Sequence, residues 1–525
     1  MKKHNLINIA LVGLLFTVSC KQETIKLQEP TTTTPPNVTY TKGSADFSKF
    51  VSIGNSLTAG FQAGALFTAG QENSFPLIMS QQFQAVGGST TFNQPDINSV
   101  NGYNSTYSNP ALGIILGRLI LFAADGNPAD AVPTPAGAPG VPAPYNTADL
   151  PGPYTGNKAT LNNFGVPGIL LGQLLLAQTG GPSTNNPYYN ALYARFASNP
   201  GTSTILGDVI STQPTFFSFD LGNNDVLGYA ISGGDGSVPI TSQTNFQNYY
   251  NTIMSTLLSP SNYGSGVAPK GVVSTIPDVT TLPYFFTVTW NALPLDAATA
   301  AEVTTELADN YNLFLLAMEQ NQVLSASEVA LRTLTYTAGQ NPILITDTDL
   351  TNLAPYMTGP YAGLLPYAQA RQTTATDLVT LAAGGILGTE VGGNPANVYG
   401  VTVPLSDTYV LVPSEIDSIE TATTGFNSII NSVATTYSTQ LAVADVNQQF
   451  HTLVSAGGTV VNGVTITPSF APPTGGFSED GVHPNSRGYA YLANIFISAI
   501  EAKFGATIPL ADIANYPGTG LPVVP

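Results

Sequence analysis

The chain has 525 residues, only 9% of them charged, and 32 acidic side chains against 14 basic ones give a net charge of −18. That balance repels phosphate backbones and argues against nucleic-acid binding, and a single cysteine excludes an intramolecular disulfide framework. The length allows a large buried core, with about three domains of roughly 150 residues as the opening expectation, and a mean hydropathy of +0.13 fits such a core better than a lipid-facing surface.

In chain order, Lys2 and Lys3 precede an apolar run at residues 6–19 that is too short to span a bilayer comfortably and reads as a signal-peptide core. Phe16-Thr17-Val18-Ser19-Cys20 resembles a bacterial lipobox, with Thr17 in place of the usual leucine. The resemblance implies cleavage before Cys20, acylation of that cysteine and tethering to the envelope, most readily the outer membrane; several acyl chains anchor stably where one does not. An ordinary secretory signal with an incidental cysteine is the alternative. Taking Lys2 and Lys3 from the 14 basic residues leaves 12 against 32 acidic, or −20 for the mature chain. Residues 21–43 are rich in Thr and Pro, a linker composition.

The next predicted elements are short apolar strands, at residues 50–53 ending at Gly54 and at 215–221 ending at Gly222, followed by candidates at 272–276, 409–412 and 441–446. Helical spacing joins Phe426, Ile429, Ile430, Val433 and Ala434, and again Tyr489, Leu492, Ala493, Phe496, Ile497 and Ile500, with Gly505 as a stop. Strands alternating with helices predict a parallel sheet covered on both faces, with its site at the carboxyl ends of the strands. Ser56 falls there, before a helix start at residues 57–59 whose amides and dipole favour developing negative charge. Gly54 would permit the turn, and the competing use of Ser56 is as a helix N-cap. No GxSxG is present, which argues against a nucleophile elbow.

Three histidines narrow the choice of a base near neutral pH. His4 lies in the signal segment. His451 has no carboxylate neighbour, so a structural use is expected. His483 follows Asp480 by three residues, a spacing that sets a carboxylate against an imidazole, whose other nitrogen then takes a serine proton.

Gly54-Asn55-Ser56-Leu57, Asn163-Phe164-Gly165-Val166-Pro167-Gly168, Gly222-Asn223-Asn224-Asp225 and Asp480-Gly481-Val482-His483-Pro484 occur in that order. Singly, the middle two read as ordinary Gly/Pro and Asn/Gly turns; together the four segments resemble the blocks of the SGNH (GDSL-type) hydrolase family. The resemblance implies a three-layer α/β/α, flavodoxin-like sandwich and carboxylic ester hydrolysis without metal or organic cofactor. It assigns Ser56 as nucleophile, His483 as base, Asp480 as its orienter, and the amides of Ser56 and Gly168 with the Asn224 side chain as oxyanion donors. Asn55 stands where the family's motif has Asp, which alters support of the turn rather than the reacting groups.

The hydrolase core is expected over residues 44–505, with insertions at about 87–160 and 281–405 and a C-terminal tail at 506–525. Proline-rich residues 128–153 should be extended loop, and the second insertion, with helical runs at 296–320, could form a cap that shapes the pocket. Asp220, Asn223 and Asp225 do not match a calcium loop, and neither HExxH nor GxxxxGK[ST] is present. Aromatic richness, including Trp290, is assigned to core packing ahead of a binding cleft. The substrate expected is a lipid ester or an acylated glycan. A lipoprotein that only binds glycan or protein on the same scaffold is the non-enzymatic alternative.

Overall fold

The computed structural model describes residues 38–142 and 148–525. The signal peptide, Cys20 and most of the linker lie outside the described residues, as do residues 143–147 of the first insertion.

Five strands, β1 (Phe50–Gly54), β2 (Asn163–Gly165), β3 (Phe216–Asp220), β4 (Lys270–Ser274) and β5 (Leu441–Ala444), form one parallel sheet in the order β5-β4-β3-β1-β2. This is the 2-1-3-4-5 order of doubly wound sheets, whose direction of winding reverses between β1 and β3 and leaves a crevice at their carboxyl ends. The helices that matter for the site are α1 (Ser56–Ala59), α2 (Phe75–Phe83), α3 (Asn224–Ile231), α4 (Gln243–Leu257), α5 (Pro413–Thr436), α6 (Val446–Ser455) and α7 (Ser486–Phe504).

Two-residue alternation along the strands feeds both faces of the sheet. Val51, Ile53, Phe217, Phe219 and Val273 pack with Phe246 and Ile253 of α4 and Phe426 and Ile430 of α5; the Phe246 and Phe426 rings stack at 4.0 Å. Phe50, Phe216, Val272 and Ala442 point the other way, onto Phe75 and Ile78 of α2 and Phe496, Ile497 and Ile500 of α7. Between them Ser52 and Ser218 satisfy each other across the buried ladder at 2.6 Å. Each of these phenylalanines is withdrawn from water and contributes on the order of 2–3 kcal/mol. The result is an α/β/α sandwich with a five-stranded parallel sheet.

The insertions depart from expectation in places. Residues 409–412 do not join the sheet: Val410–Leu411 pairs antiparallel with Leu378–Val379 inside the second insertion, because Val410 and Leu411 find apolar partners there and in the nearby core. Residues 128–153 are not wholly extended loop, since Val132–Pro135 forms an antiparallel ribbon with Leu119–Phe122. There Pro133 and Pro135 are tolerated because a two-stranded ribbon leaves outward-facing N–H positions unneeded. The second insertion has a core of its own, with Tyr311, Phe314, Leu344, Ile345 and Leu405 fully buried. Arg371 is locked inside it between Asp347 and a bidentate Asp377. Residues 506–525 pack rather than trail: Ile508, Ala511 and Ile513 are buried in the α7 layer, and Val523 pairs with Leu121.

Candidate active site

Register decides what meets at the carboxyl edge. Gly54 stands level with Gly165 on one side and Asp220 on the other. Ser56, Gly168 and Asn224 therefore leave neighbouring strands within two to four residues of one line across the sheet. Gly54 does not serve the turn through a left-handed conformation; a Cβ there would lie 2.1 Å from Thr58 Oγ1 and 2.4 Å from the Asp220 carbonyl. Gly165 is confined likewise, 2.3 Å from the Ala59 amide. Glycine at both places is what lets α1 lie directly over the strand ends.

Helix α1 is a single turn capped by Asn55, whose Oδ1 accepts the Leu57 N–H at 2.9 Å. Ser56 is thus the first helical residue and not the N-cap, so its side chain is left for other partners. With one turn the helix dipole is small, and what the site receives is the unpaired N–H groups of a helix start.

Ser56 Oγ lies 2.9 Å from His483 Nε2, and His483 Nδ1 lies 2.9 Å from Asp480 Oδ2. Ser56 is 7% exposed, and the side chains of His483 and Asp480 are 14% and 11% exposed, so the chain of contacts is shielded yet reachable. Asp480 is more than a partner for the ring. Its Oδ1 accepts the Val482 and His483 N–H groups at 2.9 and 2.8 Å, folding the loop around itself, and its Oδ2 accepts Gly64 N–H at 2.8 Å from the loop after α1. Burial opposes the charge on Asp480, but the facing His483 and these donors outweigh it and hold the carboxyl below its ordinary range. An ionised Asp480 can only accept, so His483 carries its proton on Nδ1 and leaves Nε2 to accept from Ser56.

The loop is pinned from further off. Ser478 Oγ donates to the His483 carbonyl at 3.0 Å and accepts Ala63 N–H at 2.8 Å. Phe61 packs against the His483 ring at 4.8 Å, and its carbonyl is held by the Tyr489 hydroxyl from α7. Gly64, Ser478, Phe61 and Tyr489 were not legible as site residues in sequence, because each acts on a segment more than 400 residues away or through its backbone; only Ser478, two residues before Asp480, carried a local hint.

Gly168 has φ +79°, is exposed, and has no atom within 4 Å of where a Cβ would stand. The Asn224 amide is held by one N–H bond to the Ile169 carbonyl at 2.9 Å, which leaves its second N–H for another acceptor. Asp225 ties the same two loops together, accepting Leu171 N–H at 2.8 Å and the Thr241 hydroxyl at 2.7 Å. Burial pushes its carboxyl up to about 6 despite those donors.

Two more buried acids border the site. Asp220 Oδ1 accepts the Ser274 hydroxyl at 2.7 Å, while Oδ2 finds no hydrogen-bond partner among the described residues. Burial raises this carboxyl to about 6 against the opposing pull of Ser274 and Asn223. Glu479, next to Asp480, is raised to about 7 by burial, with the charge of Arg118 opposing. Among the described residues no group of three or more His, Cys, Asp or Glu side chains is arranged to hold a metal ion. His451 is exposed on α6.

Neither a protein-family model, nor a curated protein, nor a solved structure matches this chain.

Proposed function

We propose that this protein is a serine ester hydrolase of the SGNH type that works through an acyl-enzyme on carboxylic esters of lipids or acylated carbohydrates. The observation that carries the reading is the continuous hydrogen-bonded line from Ser56 Oγ through both nitrogens of His483 to Asp480. A structural loop has no need of a serine, an imidazole and an ionised carboxylate in that order, whereas acyl transfer needs all three.

Ser56 Oγ attacks the ester carbonyl as His483 Nε2 takes its proton. The tetrahedral oxyanion is received by the amides of Ser56 and Gly168 and the free N–H of Asn224, and its collapse expels the alcohol, protonated by His483. Water repeats the sequence and releases the acid. Asp480 holds the imidazole in the accepting tautomer and stabilises the imidazolium while it lasts. Preorganised donors of this kind are worth roughly 3–4 kcal/mol of barrier each.

The exported, lipid-tethered location rests on Lys2, Lys3, the apolar run and Cys20; among the described residues no helix is long and apolar enough to cross a membrane. The direct test is hydrolysis of p-nitrophenyl esters by the parent and by Ser56→Ala, together with mass-spectrometric detection of a fluorophosphonate adduct. The expected result is a fall in kcat of roughly 10^6 and labelling at Ser56 alone. Undiminished turnover in the variant would overturn the proposal.

A further inference from the structure

A cavity of about 100 Å3 is lined by residues at or just past the carboxyl ends of β3, β4 and β5, among them Asp220, Pro277 and Val446. Leu57 and Val482, the chain neighbours of Ser56 and His483, are among its lining residues. Phe450 and Leu453 of α6 and Ile495 of α7 line it as well. Asp220 is the one carboxylate on its border, and one of its oxygens is already engaged by Ser274 at 2.7 Å.

The lining is otherwise almost entirely hydrocarbon. A sugar placed there would leave its hydroxyls without partners, and an ion would be worse. Apolar cavities of similar size stay dry and accept small apolar molecules. Its position meets the general rule that ligands of doubly wound sheets bind beyond the carboxyl ends of the strands.

We propose that this cavity receives the aliphatic part of the acyl group transferred to Ser56, so that esters of short fatty acids are preferred over acetyl esters of sugars. The inference rests on the esterase reading and adds a substrate class to it. If a methylene occupies about as much space as a water, ~30 Å3, the cavity holds about three. Each methylene seated there raises kcat/KM about fourfold, and preference climbs from acetate to about pentanoate and then levels off.

The test uses the full-length protein in detergent with p-nitrophenyl esters of two to ten carbons, so that only the acyl part varies. In the parent, kcat/KM for pentanoate should exceed that for acetate by about 60-fold. Ile495→Trp, which fills the cavity, should cut the pentanoate-to-acetate ratio at least tenfold, and Ile495→Ala, which enlarges it, should move the optimum to longer chains. The readout is a comparison of esters within one protein, and the two variants are expected to shift the preferred chain length in opposite directions, which a general loss of folded protein cannot imitate. Ser56-dependent hydrolysis with a flat or acetate-favouring profile, or a ratio unmoved by both substitutions, overturns this inference and leaves the esterase reading intact. Absence of any Ser56-dependent ester hydrolysis overturns both.

Discussion

Asp480→Asn separates orientation of the imidazole from its mere presence. Asp480 Oδ1 accepts two backbone donors, the Val482 and His483 amides at 2.9 and 2.8 Å. An asparagine must put its carbonyl oxygen there, since its NH2 group in that place would face two backbone N–H groups. The NH2 then takes the place of Oδ2, opposite Gly64 N–H and His483 Nδ1, both 2.8–2.9 Å away. His483 can meet that donor only by accepting on Nδ1, which moves its own proton to Nε2 and removes the acceptor for Ser56. The expected loss in kcat is about 10^4, the scale seen when a triad imidazole is held in the wrong tautomer, with KM little changed. Gly64 N–H also loses its acceptor, at a cost of about 1–3 kcal/mol. The assay is steady-state hydrolysis of a p-nitrophenyl ester across pH 6–9, with thermal melting of both proteins and a comparison with Asp480→Ala. A folded Asp480→Asn protein whose kcat stays within tenfold of the parent would refute the tautomer argument.

Asn224→Ala removes one oxyanion donor and the bond to Ile169, and kcat should fall by about 10^2–10^3 with a modest loss of stability; a kcat within threefold of the parent would show that the side chain does not touch the reacting oxygen. Asn55→Ala deletes the cap on α1 and should cost about 1 kcal/mol in urea unfolding as well as activity, whereas Asn55→Asp keeps an acceptor for Leu57 N–H and should stay within tenfold of the parent in kcat. Asp220 has its carboxyl raised from 3.8 to about 6 in the folded state. A raised carboxyl contributes stability that is full below its unfolded value and is lost as pH rises through the folded one, so the parent is penalised above about pH 6. Two units correspond to about 3 kcal/mol at most, so Asp220→Asn should exceed the parent in urea stability at pH 8 by up to that amount and lose the advantage by pH 4. An advantage that does not change with pH would mean that the carboxyl ionises at the same pH in the folded and unfolded protein, so that burial does not raise it.

Much of the fold and of the candidate site could be read from local chemistry. The strand at residues 50–53, the apolar run before Gly222 and the helical stripe from Tyr489 to Ile500 carry their periodicity in one stretch of chain, and they were legible because burial on a sheet face or helix face imposes that period. Asp480 and His483 stood out by residue type and spacing and Ser56 by its place after a strand end, whereas Gly168 and Asn224 came only from the family resemblance of their short segments. The strand β2 escaped, since Asn163–Gly165 is too short to show a period and its glycine reads as a turn. Residues 409–412 misled for the opposite reason, because a β-branched run says that a segment will be half-buried but not which sheet will bury it.

The sequence by itself offered the groups that could do chemistry: a serine after a strand end and before a helix start, and a histidine with a carboxylate three residues away. Those are properties of residue type and near neighbours, fixed by sterics and protonation chemistry over a few ångströms of chain. Only the tertiary structure decided that Ser56 and His483, 427 residues apart, meet at 2.9 Å, that Gly64 braces Asp480 and Ser478 its loop, and that α6 and α7 help to line an apolar cavity at the strand ends. Those contacts depend on strand order and register, which emerge from packing the whole sheet between its two helix layers, and no spacing within a single segment encodes them.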